Sequence, residues 1–142
     1  MLRLRRALLA VPAAVALTLA LPSSAWAASG SASNYMWAGH ASATWTWSGP
    51  GSLTNIDLHV EDDNCNSNPV YAQLRVTRSN GGVWYTSTHR YDYNGCSGSG
   101  TNHNDLTLSD GYNIKYIALY VCNDGTFNDC IVGPNSSANP LA

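Results

Sequence analysis

The sequence predicts an all-β protein, a β-sandwich of about seven short antiparallel strands in an Ig-like or jelly-roll arrangement, held together by two disulfides. Two observations predict this fold class. Apolar and polar residues alternate with a period of two in several short segments, whereas no window of eleven or more residues has the apolar spacing of a helix. Four cysteines follow a leader typical of exported proteins, and cysteines in an oxidising environment are expected to pair.

The first residues have the three parts of a secretory signal peptide. Three arginines lie among the first six residues, an apolar run covers 7–21, and small residues flank Trp26 at a cleavage site that ends with Ala27. This run is shorter than the roughly twenty residues that a membrane-spanning helix needs. We therefore expect residues 1–27 to be removed and the mature protein to be secreted into the extracellular space, with no membrane partner after cleavage.

The rest of the chain has the size of one domain. If cleavage follows Ala27, 115 of the 142 residues remain. We predict a single β-sandwich domain at 35–133. The flanking segments 28–34 and 134–142 are small and polar and lack periodicity, so we expect a flexible N-terminal segment and a loose C-terminal tail.

Composition limits the classes of partner. After Ala27 there are four basic and nine acidic residues, a formal charge of −5, which argues against nucleic-acid binding. Asn, Ser, Gly and Thr make up 49 of these 115 residues, so the polar surface is mostly uncharged. Four tryptophans and eight tyrosines supply more apolar surface than a disordered chain has, and we therefore expect a folded domain.

Three half-buried strands are expected in the first part of the domain. Trp45 and Trp47 alternate with threonines, which predicts the first strand. The second is predicted at 56–61, where Ile, Leu and Val alternate with Asp, His and Glu. The third is predicted at 70–77, where apolar residues again occupy every second position.

A tight turn and a long loop follow. The sequence Ser-Asn-Gly-Gly at 79–82 contains residues that accept positive φ, and it predicts a hairpin between the third strand and a fourth at 83–93. Residues 94–104 are polar and rich in glycine, which predicts a loop.

Three further strands complete the prediction. A short strand at 105–108 and a long one at 112–122 flank a Ser-Asp-Gly turn, and a last short strand lies near 130–132. Ile114 is out of phase with the later apolar residues of the long strand, which predicts a β-bulge near Lys115. The order of the strands does not follow from the sequence.

The four cysteines allow three disulfide pairings. Cys122 and Cys130 flank a loop of seven residues, which favours a local bridge and leaves Cys65 to pair with Cys96. If each strand reverses the direction of the one before it, all four cysteines lie at the same end of the sandwich. The other two pairings therefore stay open, and only proximity along the chain favours this set.

The same reversal of strand direction places most of the acidic residues at the cysteine-bearing end. Crowded carboxylates repel each other unless a cation lies among them, so this end is the best candidate for a Ca²⁺ site. A solvated acidic rim without an ion is nevertheless the favoured interpretation, and no other cofactor is expected. The candidate ligands are Asp62, Asp63, Asp124 and Asp129.

No motif for a catalytic site is found, and we expect a protein that is not an enzyme. His40, His59, His89 and His103 are spread over four segments without a close ligand pair, and we interpret them as residues of the surface or the core edge. The glycine-rich segment at 95–100 does not match the nucleophile elbow of serine hydrolases.

Aromatic residues are the remaining candidates for ligand binding. Trp45 and Trp47 share one face of a strand and could stack on sugar rings, but core packing is the favoured interpretation. Trp84 follows the tight turn and is expected to be more exposed. With Tyr71 on the neighbouring strand it would form a small platform.

The segment 110–130, DGYNIKYIALYVCNDGTFNDC, resembles small exported two-disulfide β-sandwich proteins of actinobacteria that have no assigned function. The resemblance implies the fold type and an extracellular location. It implies no catalytic residues.

These observations favour a secreted, non-catalytic binding protein whose ligand is an extracellular or cell-wall polysaccharide. The alternative is a secreted protein inhibitor of an extracellular hydrolase, either a protease or a glycosidase. In that role a small body closed by disulfides would present the loop at 94–104 to its target.

Overall fold

The computed structural model describes residues 27–142, so the predicted signal peptide at 1–27 lies outside the described residues except for Ala27. This part of the chain contains nine β-strands and no helix. Among residues 27–142 there is thus no helix long and apolar enough to cross a membrane. The strands are β1 (Ala28–Met36), β2 (Gly39–Gly49), β3 (Ser52–Asp62), β4 (Val70–Arg78), β5 (Val83–Tyr85), β6 (Arg90–Tyr91), β7 (Thr101–Ser109), β8 (Ile114–Asn123) and β9 (Asp129–Val132).

The strands form two antiparallel sheets. The first sheet has the order β1-β2-β3-β7. The second has the order β5-β4-β8-β9, and β6 also pairs with β4. The two sheets share one apolar core, which confirms the predicted all-β sandwich.

The core lies between the sheets because apolar residues occupy alternate positions of the central strands. Side chains at alternate positions of a strand point to the same face of the sheet. Burying a large apolar side chain stabilises by about 1.5–3 kcal/mol, so this pattern selects the faces that meet. The buried apolar residues of the central strands are Ala41, Ala43, Trp45 and Trp47 in β2, Leu53, Ile56, Leu58 and Val60 in β3, Val70, Ala72, Leu74 and Val76 in β4, and Ile114, Ile117, Leu119 and Val121 in β8.

Trp45 and Trp47 belong to this core. Trp45 is only 2% exposed and Trp47 only 1%, and the two rings meet edge to face with centroids 5.6 Å apart. The favoured interpretation of this pair as core residues is therefore confirmed, and the alternative, a sugar-stacking face, is wrong. Gly30 of β1 lies opposite Trp45, and a Cβ there would stand 2.3 Å from Trp45 Nε1, so only glycine leaves room for the indole.

Two β-bulges keep the apolar residues of the long strands in phase. Leu53 and Ile56 of β3 are both buried although they are three positions apart, because the pairing shifts between them. Asn55 lies in this shift with a φ of 49°, a conformation that Asn adopts more readily than most residues. The bulge predicted near Lys115 is confirmed, since the pairing of β8 with β4 skips that residue.

The N-terminal segment at 28–34, predicted to be flexible, is part of an edge strand. It pairs with β2 along the whole of β1. The Asn34 side chain also donates hydrogen bonds of 3.0 Å to the carbonyl oxygens of Leu119 and Ile131 in the other sheet. The prediction fails because a backbone ladder at a sheet edge does not need apolar periodicity.

The C-terminal tail at 134–142, predicted to be loose, is tied to the sandwich. The Ser136 N–H donates a hydrogen bond of 2.7 Å to the Ile117 carbonyl oxygen. The Asn139 side chain donates to two carbonyl oxygens at the end of β2, at 3.1 and 3.2 Å. Leu141 packs against the core. The contacts are made by residues distant in sequence, so composition alone gives no sign of them.

The middle of the chain differs from the prediction in two places. The fourth strand, predicted at 83–93, pairs with β4 only at its ends, as β5 and β6, while 86–89 leave the ladder. The strand predicted at 105–108 begins earlier, at Thr101, and shortens the predicted loop at 94–104.

The favoured disulfide pairing is confirmed. Cys65, between β3 and β4, is bonded to Cys96, between β6 and β7. Cys122 of β8 is bonded to Cys130, its direct partner in β9. Of the described cysteines, all are paired.

We predict that replacing Cys65 and Cys96 together by alanine lowers the free energy of unfolding by about 3–4 kcal/mol, because this bond restricts the longer loop of the unfolded chain. Replacing Cys122 and Cys130 together should cost about 2–3 kcal/mol, since only eight positions separate them. Urea unfolding followed by tryptophan fluorescence measures both changes. An unfolding midpoint equal to that of the parent for the first double variant would contradict this prediction.

Candidate functional site

A cleft of about 270 Å³ opens between the two sheets at one edge of the sandwich. One wall is β7, and the other is formed by the chain from β5 to β6. Both walls are the outermost parts of their sheets, so no strand of residues 27–142 covers the space between them. The cleft is therefore the place where the interior of the sandwich meets solvent.

The floor of the cleft is apolar. Ile56, Leu58 and Leu74 are core residues whose side chains also line the cleft. Leu106 and Leu108 of β7 continue this surface, and Leu106 is partly exposed. An apolar group that enters the cleft would be removed from water, which favours its binding.

Polar side chains surround the opening. Thr86, Ser87 and Thr88 lie between β5 and β6. Their hydroxyl groups can each donate and accept hydrogen bonds. Arg90 adds a guanidinium group with five N–H donors in a fixed plane.

Trp84 closes one end of the cleft, and a carboxylate fixes its ring. Trp84 Nε1 donates a hydrogen bond of 2.7 Å to Asp110 Oδ2. Asp110 also accepts two hydrogen bonds from the Arg78 guanidinium, at 2.7 and 3.0 Å. These donors, Arg78 above all, hold the pKa of Asp110 below its ordinary value because they stabilise the ionised carboxylate. The partly exposed indole thus has a defined orientation.

Next to the cleft, beyond Arg90, a side chain of β7 contacts the backbone of β6. His103 Nε2 lies 2.9 Å from the carbonyl oxygen of Tyr91. The Tyr91 hydroxyl donates a hydrogen bond of 2.6 Å to Asp124 Oδ2. This bond stabilises the neutral phenol and raises the pKa of Tyr91 to about 12. Hydrogen bonds thus connect β6 both to β7 and to the segment that follows β8.

Trp84 and Tyr71 do not form the predicted platform. Trp84 pairs with Val76, a core residue, so the indole lies on the inner face of the second sheet. Tyr71 alternates with core residues of β4, is only 4% exposed, and stacks on His89 with ring centroids 4.1 Å apart. Burial raises the pKa of its hydroxyl. Because the two rings lie on opposite faces of one sheet, no ligand can contact both.

The four carboxylates predicted to bind Ca²⁺ have separate partners. The partners are the Asn64 N–H for Asp62, the His40 ring for Asp63, the Tyr91 hydroxyl for Asp124 and the Trp37 indole N–H for Asp129. The structure does not bring these carboxylates together as ligands of one ion. The predicted Ca²⁺ site is therefore not formed by these residues, because each carboxylate serves to tie a different loop or strand end.

Asp62 differs from the other three in its environment. The residue is only 8% exposed, and this burial raises its pKa, although the hydrogen bond from Asn64 acts in the opposite direction. The neighbouring carboxylates of Asp92 and Asp63 raise it further. Asp92 Oδ2 in turn accepts a hydrogen bond of 2.9 Å from the Asp62 N–H.

A different group of residues has the spacing of metal ligands. Within residues 27–142, His40, His59 and Glu61 place one ligand atom each within 4.8 Å of one another. His40 and His59 are partly exposed, in agreement with the interpretation of the histidines as residues of the surface or the core edge, but they are also close neighbours, which was not predicted from the sequence. The sequence contained a signal, since His59 and Glu61 are two positions apart on a predicted strand and must share a face. The third member could be found only from the pairing of β2 with β3.

Comparison with known proteins adds no residue roles. The chain matches no protein-family model, no curated protein and no solved structure. The resemblance of the segment 110–130 to exported two-disulfide proteins stays a prediction. The function has to be inferred from the geometry of the chain itself.

We predict that Asp110→Asn lowers the melting temperature at pH 7, because the variant loses the ion pair with Arg78. A carboxyl whose pKa is lowered by folding adds stability that is complete above the pKa of the unfolded chain, about 3.9, and is lost as the pH falls through the folded value. The difference between parent and variant should therefore shrink as the pH is lowered below about 4. Thermal unfolding over a pH series measures it.

Asp62→Asn is the matched control, and its effect has the opposite sign. The pKa of Asp62 is raised in the folded protein, so the ionised carboxyl disfavours folding at neutral pH. The variant should be more stable than the parent at pH 7, and this advantage should disappear in acid. Equal stability of Asp110→Asn and the parent at pH 7 would contradict the role assigned to Asp110.

Proposed function

We propose that this chain is a secreted, non-catalytic binding protein whose edge cleft takes one sugar ring of an extracellular or cell-wall polysaccharide. The observation that carries the proposal is the cleft itself, with the partly exposed Trp84 at one end, an apolar floor and a rim of hydroxyl groups. Two other concave sites of residues 27–142, one beside the Cys65–Cys96 bond and one between β1, β2 and the C-terminal tail, have no aromatic side chain in their lining.

The size and chemistry of the cleft fit a small, amphipathic ring. Ligand pockets commonly measure about 300–1,000 Å³, so a volume near 270 Å³ suits a single ring better than a large cofactor. A pyranose has an apolar C–H face and a polar edge. The C–H face can lie on Trp84 and Leu106, while the hydroxyl groups reach Thr86, Thr88 and Arg90.

The lining supports binding without catalysis. General acid–base catalysis of glycoside cleavage needs two carboxyl groups flanking the bond. Among the described residues that line this cleft there is no Asp, Glu or His, and its ionisable group is Arg90, which stays charged. Asp110, next to Trp84, is held by Arg78 in its ionised form.

The two disulfides support the extracellular part of the proposal. Such bonds form and persist in oxidising compartments and are rare in the cytosol. Together with the signal peptide predicted at 1–27, they favour export. A mostly uncharged polar surface is compatible with a polysaccharide partner, which offers hydroxyl groups and little charge.

The proposal predicts that Trp84→Ala weakens binding of a soluble oligosaccharide by at least about tenfold, because a stacking surface is lost. The probes are hexamers of chitin, cellulose and xylan titrated by calorimetry, together with pull-downs on insoluble chitin and cellulose. Trp84→Phe keeps an aromatic ring and should retain part of the affinity. The change in tryptophan fluorescence on binding should disappear with Trp84.

Trp37→Ala is the matched control. Trp37 is 60% exposed, and its Nε1 also donates a hydrogen bond of 2.7 Å to a carboxylate, that of Asp129. Its removal should leave binding unchanged. Failure of the parent to bind any of these probes, or equal loss of affinity in the Trp37 and Trp84 variants, would overturn the proposal.

A second candidate function, inhibition of an extracellular hydrolase, is favoured by the loop between β6 and β7. The Cys65–Cys96 bond anchors this loop, and the Gly98 N–H donates a hydrogen bond of 2.9 Å to the Gly95 carbonyl oxygen. Asp92 Oδ1 accepts hydrogen bonds from the N–H of Asn94 and the hydroxyl of Thr101. A loop that is already ordered loses little entropy when a target binds it, which is what a tight inhibitor requires.

This alternative predicts stoichiometric inhibition of at least one enzyme in a panel of secreted proteases and glycosidases. Opening the loop with Cys65→Ala and Cys96→Ala should raise the inhibition constant at least tenfold, whereas Trp84→Ala should leave it unchanged. Residual enzyme activity at equimolar protein is the measurement. Oligosaccharide binding without any inhibition would decide against this candidate.

A further inference from the structure

His40, His59 and Glu61 meet on the outer face of the first sheet. In the pairing of β2 with β3, His40 lies directly opposite Glu61, and His59 is two positions before Glu61 on the same strand. The residues between them, Ala41, Leu58 and Val60, face the core. Alternation therefore directs all three polar side chains away from the core, where they form a cluster on the outside.

The ring nitrogens of the two histidines have different environments. Each Nδ1 is within normal hydrogen-bond distance of an oxygen, 2.8 Å to Asp63 Oδ2 for His40 and 2.9 Å to Asn102 Oδ1 for His59. Each Nε2 lies farther, at 3.4 Å, from the same oxygen, Glu61 Oε2. A charge-assisted hydrogen bond is typically about 2.7–2.9 Å long, so the Nε2 contacts are longer than such bonds.

The outer hydrogen bonds determine which nitrogen has the lone pair. Asp63 and Asn102 present oxygen atoms, which accept, so each histidine donates from Nδ1. In a neutral imidazole the other nitrogen, Nε2, then carries the lone pair. With both imidazoles neutral, two lone pairs and a carboxylate oxygen of Glu61 face one another with no donor among them. Such a group of three acceptors is stabilised by a cation placed between them.

The spacing of each histidine from Glu61 matches that of two ligands around a small cation. At metal–ligand distances of about 2.0–2.1 Å, two corners of a tetrahedron are about 3.3–3.4 Å apart. The two measured separations from Glu61 Oε2, to His40 Nε2 and to His59 Nε2, are both 3.4 Å.

We propose that His40 Nε2, His59 Nε2 and Glu61 Oε2 form a binding site for a divalent first-row transition metal ion, with Zn²⁺ as the preferred ion. Two imidazoles and one carboxylate suit Zn²⁺ or Cu²⁺, whereas Ca²⁺ takes six to eight oxygen ligands. The site lies on the outer face of the first sheet and not in the edge cleft. It therefore does not depend on the proposed sugar-binding function.

The surroundings of the cluster hold the ligands in place. Asp63 and Asn102 play the part of the outer partners that commonly orient metal-bound histidines. Tyr35 stacks on the His40 ring with centroids 4.6 Å apart and an interplanar angle of 5°. The Gly100 backbone, with a φ of 70°, packs so closely on His59 that a Cβ would stand 2.6 Å from its ring.

The cluster is partly open to solvent. The exposed fraction of the side chain is 19% for His40, 27% for Glu61 and 28% for His59. Three protein ligands on a partly open surface leave a fourth position for water or for an external ligand. This openness distinguishes the cluster from a closed structural site with four protein ligands. The competing account is a pair of protonated histidines that simply pair with Glu61, and it predicts no metal affinity.

The test uses the full exported protein after treatment with EDTA and exchange into metal-free buffer at neutral pH. Zn²⁺ binding is measured by competition with a chromophoric chelator, with Ca²⁺ as the comparison ion. We expect one Zn²⁺ per chain, an increase in melting temperature with Zn²⁺ and not with Ca²⁺, and a Cu²⁺ paramagnetic resonance spectrum with coupling to two imidazole nitrogens.

Four variants assign the ligands. His40→Ala and His59→Ala should weaken Zn²⁺ binding by more than about 100-fold, since loss of an outer partner alone commonly costs about 10- to 100-fold. Asn102→Ala should fall within that smaller range. His89→Ala is the matched control, because this exposed histidine stacks on Tyr71 at the outer face of the other sheet and should bind Zn²⁺ like the parent.

Each result decides the proposal. Loss of the coupling to one imidazole in each ligand variant, with the fold intact by circular dichroism, would support it. If His40→Ala does not fold, Glu61→Gln and Asn102→Ala supply the same comparison. Zn²⁺ affinity in the parent no higher than in a His40→Ala, His59→Ala double variant, or equal affinity for Ca²⁺ and Zn²⁺, would overturn it.

Discussion

The alternation of side chains across two facing sheets is the constraint on which the rest of this protein depends. A sandwich has one interior, so every second residue of β2, β3, β4 and β8 must fill it. The intervening residues are directed to the outside whatever their chemistry. Trp45 and Trp47, the most conspicuous aromatic pair of the sequence, are thereby used for packing. The same constraint directs His40, His59 and Glu61 outward and together. The apolar core and the polar cluster on the outer face are thus two consequences of the same alternation of side chains.

The constraint also limits where a ligand can reach apolar surface. Side chains of the inner face contact solvent only where the sheets end, and here that place is the edge between β7 and the chain from β5 to β6. At the opposite edge, Asn34 bridges β1 to the second sheet by two hydrogen bonds. The cleft therefore offers an apolar floor with a polar rim, whereas the outer face of the first sheet carries the polar cluster of His40, His59 and Glu61. The proposed sugar site and the proposed metal site differ in chemistry for this reason.

Much of the fold could be predicted from the sequence, because period-two patterns and short loops are local properties. They predicted the long strands, the hairpin turn at 79–82, the bulge at Lys115 and the Cys122–Cys130 bridge. The prediction from the sequence was wrong where the structure depends on backbone pairing alone or on side chains that are distant in the sequence. β1 is made of small polar residues, and the tail at 134–142 is held by Ser136 and Asn139. The position of the candidate cleft depends on which strands are outermost in the two sheets. The residues at its rim belong to no distinctive sequence motif.

Which side of the long central strands faces the core follows from the sequence, because hydrophobicity at alternate positions is a property of the chain alone. Which outward side chains become neighbours follows only from the fold, because strand order and register depend on the packing of all strands together. Asn102 reaches His59 only because β7 lies beside β3, although 43 positions separate the two residues. Trp84 and Tyr71, close in the sequence-based picture, lie on opposite faces of their sheet. The function of this chain is therefore inferred from side chains that are close in the fold but distant in the sequence.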